Sequence, residues 1–214
     1  MNNRIKFRDG LLLASLPHVA ENGWVESAFM AGAVELGVEK VLIQRFFPGG
    51  LREFAIHFSD WADREMKKTL LQEDMETLKF RKRVSLAMRI RFQALAQYRE
   101  AVRSSVSFSM MPQNAFIGIS CMYTTVDKIW YSVGDESTDF SYYTKRAILA
   151  GLISAATLYW LNDRSDGFKD TWDFIDRRLE NVMQIPKIRA RLKKVITRLP
   201  FPFNNVQKKF RRSL

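Results

Sequence analysis

Few residues of this chain are of types that do chemistry. It has two histidines, His18 and His57, and one cysteine, Cys121. Glu53 and His57 stand four apart, which puts them on one helix face. A di-iron carboxylate centre needs several glutamates and Glu-x-x-His pairs on facing helices, and that pattern is missing, so the pair reads as a surface hydrogen bond. Cys121 lies between apolar neighbours, Ile119 and Met122, and reads as a buried, inert thiol. A single cysteine also excludes a disulfide framework and a thiolate zinc site. Pro48-Gly49-Gly50 lacks the Lys and Ser/Thr of a phosphate-binding loop. Asp135, Glu136 and Asp139 are explained more simply as helix-capping oxygens than as a carboxylate cluster. Nothing assembles a nucleophile, a base and an orienting group. The expectation is a protein that is not an enzyme and carries no metal and no cofactor.

The elements that would position these residues are helices. Apolar spacing is helical nearly everywhere, and strand-like alternation is absent, so the chain reads as all-α. Leu11, Leu12, Ser15, Leu16 and Val19 mark a first helix that ends near Asn22-Gly23. Ser27 to Glu35 form a second, stopped by Leu36-Gly37, and Glu39–Phe46 a short third. A fourth runs from about Leu51 to Leu71 with Phe54, Phe58, Trp61 and Ala62 on one face. A basic stretch, Lys79 to Ser107, makes one or two more. Pro112 starts another, with Asn114–Val133 as its body and Gly134 as its C-terminal cap. The charge-free run Ala147–Leu161 is short for a bilayer span of about 20 residues and reads as a helix buried in a bundle. Asn162–Gly167 is a loop, and a last body helix covers about Lys169 to Met183.

Residues 10–50 have a helix-turn-helix layout and resemble the N-terminal module of TetR-type repressors. DNA binding leans on Lys and Arg at phosphates. Residues 1–60 hold six basic and seven acidic side chains, and the would-be reading helix offers Val41, Leu42 and Ile43, with few donors for base edges. A packing role is therefore expected for this module.

The charge is unevenly spread. The net charge is +11, but residues 186–214 hold ten basic residues and no acid, leaving a body at +1. Ile188, Leu192, Val195, Ile196 and Leu199 form an apolar stripe, and Lys187, Arg191, Lys194 and Arg198 an opposing cationic one. With Phe201, Phe203 and Phe210 beyond, this pattern suits an anionic lipid surface. A docked terminal helix, or nonspecific RNA binding, are the other readings of it. The N-terminus shows no signal-peptide or transit pattern. The expected organisation is a helix-turn-helix-like module (1–50), a helical body (51–185) and a basic amphipathic tail (186–214).

The run Val126-Asp127-Lys128-Ile129-Trp130-Tyr131-Ser132-Val133-Gly134-Asp135-Glu136-Ser137-Thr138-Asp139-Phe140-Ser141-Tyr142-Tyr143-Thr144-Lys145-Arg146-Ala147 is long and unusual, as is Thr171 to Leu179. With Leu16-Pro17-His18-Val19 and Gly23-Trp24, they resemble the lipid-binding accessory protein family of ubiquinone (coenzyme Q) biosynthesis. The resemblance implies a TetR-like helical bundle turned away from DNA, with a C-terminal amphipathic helix. It implies binding of aromatic isoprenoid lipids in an apolar pocket, and docking on the membrane through that helix. It also implies association with the di-iron demethoxyubiquinone hydroxylase, and homodimers. Asp139, Tyr142, Tyr143, Lys145 and Arg146 correspond to a patch for partner and lipid, with Arg146 on the lipid head group; the family often has Trp where Tyr142 stands. Met122, Trp130, Leu149, Leu152 and Ile153 are expected, from helical spacing, to line the pocket. The implied location is peripheral on an inner membrane: the cytoplasmic face in a bacterium, the matrix face in a mitochondrion. The competing readings are a TetR-type ligand-responsive repressor and an enzyme acting on the quinone ring.

Overall fold

A computed structural model describes residues 3–134 and 140–181, with the backbone alone for residues 140–142. Every regular element among them is helical. The predicted tail, with Ile188, Leu192, Val195, Ile196, Leu199, Lys187, Arg191, Lys194 and Arg198, lies outside the described residues. So do Asp139, the capping loop 135–139 and the side chain of Tyr142.

The front of the molecule is α1 (Asn3–Asn22), α2 (Glu26–Glu35) and α3 (Lys40–Phe46). The inward face of α1 is the predicted one: Leu11, Leu12, Ser15, Leu16 and Val19. Helix α2 crosses α1 at Gly32, where a Cβ would sit 2.5 Å from Ser15 Oγ and 2.6 Å from Ser15 Cα. The backbones can meet there only because Gly32 has no side chain. Helix α2 is closed off at Gly37 (φ +63). There Val38 N–H donates to the Ala33 carbonyl at 2.8 Å and Gly37 N–H to that of Val34 at 3.0 Å, a closure that needs a left-handed residue.

Helix α4 (Gly50–Leu70) brings Phe54, Phe58 and Trp61 onto this module. Phe47 stacks on Phe54 with centroids 3.8 Å apart, Trp24 stacks on Phe58, and Trp24 Nε1 donates to the Leu51 carbonyl at 3.1 Å. The basic stretch forms two helices, α5 (Phe80–Leu95) and α6 (Arg99–Met110), separated by a 3-10 turn at Ala96–Tyr98. Then follow α7 (Ala115–Ser132), α8 (Phe140–Asn162) and α9 (169–181).

The cations of α5 and α6 are used inside the fold. Lys82 and Arg89 each reach Asp176 of α9 at 3.0 Å, and Ser85 Oγ donates to the same carboxylate at 2.5 Å. Arg99 and Arg103 donate to the carbonyls of Asp163 and Leu161, satisfying acceptors that the end of α8 leaves open. Asp163 then organises the start of α9. Its carboxylate accepts from Ser165 N–H at 2.8 Å and Thr171 N–H at 2.9 Å. Burial works against this charge, but the bonds from Ser165 and Thr171 outweigh it and lower the carboxyl to about 2.

Two expectations need correction. Glu53 and His57 are not a surface pair: Glu53 bonds Arg8 at 2.9 Å, while His57 is buried against Asp9 at 2.8 Å. Both reach α1, because α4 lies against α1 along that face. Helix α8 is also not buried all round. Leu149, Leu152, Ile153, Ala156 and Trp160 pack inward, whereas Ala147, Gly151, Ser154, Ala155 and Leu158 are exposed. Small residues dominate the outer side, so an unbroken apolar run does not mean burial on every face.

Candidate functional site

Helices α4 to α8 do not close completely. Between them lies a cleft of about 470 Å³, inside the usual size range of ligand pockets, about 300–1,000 Å³. Its deep walls are apolar: Phe58 and Ala62 of α4, Leu95 of α5 and Ile153 of α8. Its lips are Met110, Ile119 and Leu158, each more than half exposed. A second cleft of about 510 Å³ runs between α7 and α8 and shares Gly118, Ile119, Met122 and Ser154 with the first. Tyr143 and Arg146 lie on its far side.

The inner end is polar. Ser59 of α4, Arg91 of α5 and Thr125 of α7 line the first cleft there. Asp63, only 1% exposed, sits behind them. It accepts from Arg91 Nε at 2.8 Å and from Thr125 Oγ1 at 3.0 Å, and Lys128 approaches it at 3.3 Å. Arg91 Nη2 reaches Ser59 Oγ at 3.3 Å and Thr125 Oγ1 at 3.4 Å. The network continues outward. Lys128 bonds Asp60 at 2.7 Å, Asp60 bonds Arg64, and Arg64 grips both oxygens of Asp9. Burial opposes the Asp60 charge, but bonds from Lys128 and Arg64 hold its carboxyl below the usual range. His57 at the end of this chain has its imidazole pushed down by burial and by the nearby Arg8 charge, with Asp9 2.8 Å away pulling the other way.

Of the expected pocket residues, Met122 and Ile153 line the cleft. Leu149 and Leu152 are buried core, and Trp130 stacks on Phe80 with centroids 5.5 Å apart; none of these three is on the cleft wall. Arg146 is largely buried, and its Nε and Nη2 donate to Asp127 at 3.0 and 2.7 Å. These two residues stand near opposite ends of the unusual run, so that run is clasped across α7 and α8. Tyr143 is 70% exposed, and Lys145 is half-buried beside it. Cys121 is half-buried on the cleft wall, its thiol raised by burial. No group of three or more His, Cys, Asp or Glu among the described residues is placed to hold a metal. No described helix is long and apolar enough to cross a membrane.

The polar floor is not among the features expected from the sequence, although a signal for it is present. Asp60, Asp63 and Arg64 interrupt the apolar face of α4, and Arg91 stands between Ile90 and Phe92.

This arrangement has the architecture of the TetR class. A TetR transcriptional regulator from Nitrosomonas europaea superposes with a TM-score of 0.67 at 18% identity, covering 82% of this chain and 97% of that one. Residues 117–186, which include most of α7 and all of α8 and α9, match the COQ9 family model. The "Ubiquinone biosynthesis protein COQ9, mitochondrial" of Rattus norvegicus is 31% identical over 182 residues, covering 82% of this chain and 58% of that protein. The Homo sapiens protein of the same name is 30% identical, with 82% and 57% covered. Over the region it shares with them, the chain is similar to the COQ9 family. It spans a little under three fifths of the length of these relatives.

Proposed function

We propose that this protein serves ubiquinone biosynthesis as a non-catalytic lipid-binding protein. It takes an aromatic isoprenoid intermediate into the cleft of α4 to α8 and presents it to the di-iron demethoxyubiquinone hydroxylase. The observation that carries this reading is the open cleft itself, with apolar walls and exposed apolar lips. Apolar surface left in water costs roughly 25 cal/mol per Å², and such walls spare a prenyl chain that cost when it leaves the bilayer. In this reading residues 186–214 attach to an anionic inner-membrane surface as a peripheral anchor. The patch of Asp139, Tyr142, Tyr143, Lys145 and Arg146 meets the hydroxylase and a lipid head group at Arg146. The protein works as a homodimer.

A repressor role is the competing reading. Against it stand a front module with more acids than bases, an exposed Val41 on α3, and Lys40 paired with Glu26.

The test is organic extraction and mass spectrometry of protein purified gently from its own cells. The expected result is an isoprenylated quinone or phenol, or a phospholipid, near stoichiometric amount. The variant Ser154→Trp, which plugs the wall shared by the two clefts, should lose that lipid. Wild-type extracts without lipid, together with salt-sensitive binding to a palindromic duplex, would overturn the proposal.

A further inference from the structure

We infer that the polar floor of the cleft recognises a neutral oxygenated ring, so that a prenylated quinone or phenol enters ring first with its tail leading out between α7 and α8. This rests on the lipid-binding part of that reading and sets the orientation of the lipid while it is carried; the ring then has to back out along the same path to meet a partner at the Tyr143 side.

Arg91 provides the donor. Its Nε is committed to Asp63 at 2.8 Å, and its Nη2 bonds to Ser59 and Thr125 are long, at 3.3 and 3.4 Å. Nη1 makes no hydrogen bond to any described residue, although the side chain lines the cleft. A guanidinium holds its donors in a fixed fork, so anchoring Nε to Asp63 aims the others. A ring carbonyl accepts from that fork and from the Ser59 hydroxyl, and a phenol hydroxyl donates to Ser59 Oγ.

Charge balance selects a neutral ring over an anion. Asp63 is already compensated by Arg91 and Lys128. A phosphate or carboxylate would compete with Asp63 for Arg91 and strand a buried charge. Size supports the direction of entry. A cleft of about 470 Å³ holds a substituted ring and a few isoprene units, not a long polyprenyl chain. The remainder has a continuous path over Gly118, Ile119, Met122 and Ser154 into the second cleft. Placing the ring outside, at Arg146, would instead ask a guanidinium already doubly bonded to Asp127 to serve it.

The test compares decylubiquinone with decylbenzene, which has the same tail and no ring oxygens, by calorimetric titration from cyclodextrin. The readout is the ratio of the two affinities. In the wild-type protein, hydrogen bonds from a charged donor should favour decylubiquinone by about tenfold. Arg91→Lys keeps the charge beside Asp63 but loses the fork, and should shrink that ratio by about fivefold. Ser59→Ala removes one hydroxyl with little risk to folding and should shrink it about twofold. A ratio unchanged in Ser59→Ala and in any folded Arg91→Lys protein would overturn the inference and leave lipid binding standing. So would tighter binding of decyl phosphate than of decylubiquinone. Failure of the wild-type protein to bind either decyl probe would overturn the lipid-binding reading itself.

Discussion

Where α1 meets α2, the chain has room for a hydrogen and nothing more at Gly32. Where α6, α7 and α8 meet, it leaves about 470 Å³ open. Both regions use small residues, to opposite ends. In the front module Gly32 and Ser15 bring two backbones together, and the aromatic rings of Trp24, Phe29, Phe47 and Phe54 fill what remains. Around the cleft, Ser105 and Ser154 line the gap without filling it, while at Gly118 an added Cβ would meet Ser109 Cβ at 3.1 Å. A closely packed helix-turn-helix-like front and a bundle core opened into a cleft are complementary uses of one helical plan.

The comparison can be broken at several points. The largest effect is expected at the cleft floor. Asp63→Ala strands the largely buried Arg91, while Lys128 keeps Asp60, and should cost about 3–5 kcal/mol in chemical denaturation. In the front module, Gly32→Ala drives a Cβ into the Ser15 backbone and should cost about 3 kcal/mol, read as a lowered Tm. If Gly32→Ala is neutral, α1 and α2 do not meet as closely at Gly32 and Ser15 as these distances require.

A third test follows acid. The folded Asp163 carboxyl is lowered from 3.8 to about 2, so its stabilisation is complete above about pH 5 and is lost as pH falls through 3.8 toward 2. It amounts to about 2 kcal/mol. The wild-type stability should therefore fall more steeply over that window than that of Asp163→Asn. The smallest effect is the mirror of Gly32: a Cβ placed on Gly151, on the open side of α8, would meet nothing within 4 Å. Gly151→Ala should raise stability by about 0.5–1 kcal/mol. The same substitution thus carries opposite signs in the two regions.

Helical spacing makes the elements legible. The inward face of α1 and the Gly37 and Gly134 stops follow from local patterns, because periodicity and left-handed glycines act within a turn or two. The break at Ala96–Tyr98 is harder to see, since it has neither Gly nor Pro to mark it. The site is less legible. Met122 and Ile153 reach the cleft, whereas Trp130, Leu149 and Leu152 face core instead, because apolar spacing alone does not separate a cleft wall from a packed interface. Arg91 and Asp63 lie 28 residues apart, and only the packing of α4 against α5 joins them. His57 misleads for the same reason: its partner, Asp9, comes from another helix.

The clasp of α9 onto α5 has a mechanical consequence. Asp176 is held by Lys82, Ser85 and Arg89, and two residues past Arg89 on the same helix stands Arg91. Any load that enters the body through the end of α9 is passed at Asp176 to α5, and along that stiff rod to the cleft floor. Helix α9 also stacks Phe174 on Tyr159 of α8, so a displacement of α9 moves at once the rod that carries the cleft floor and the helix that carries the lip at Leu158.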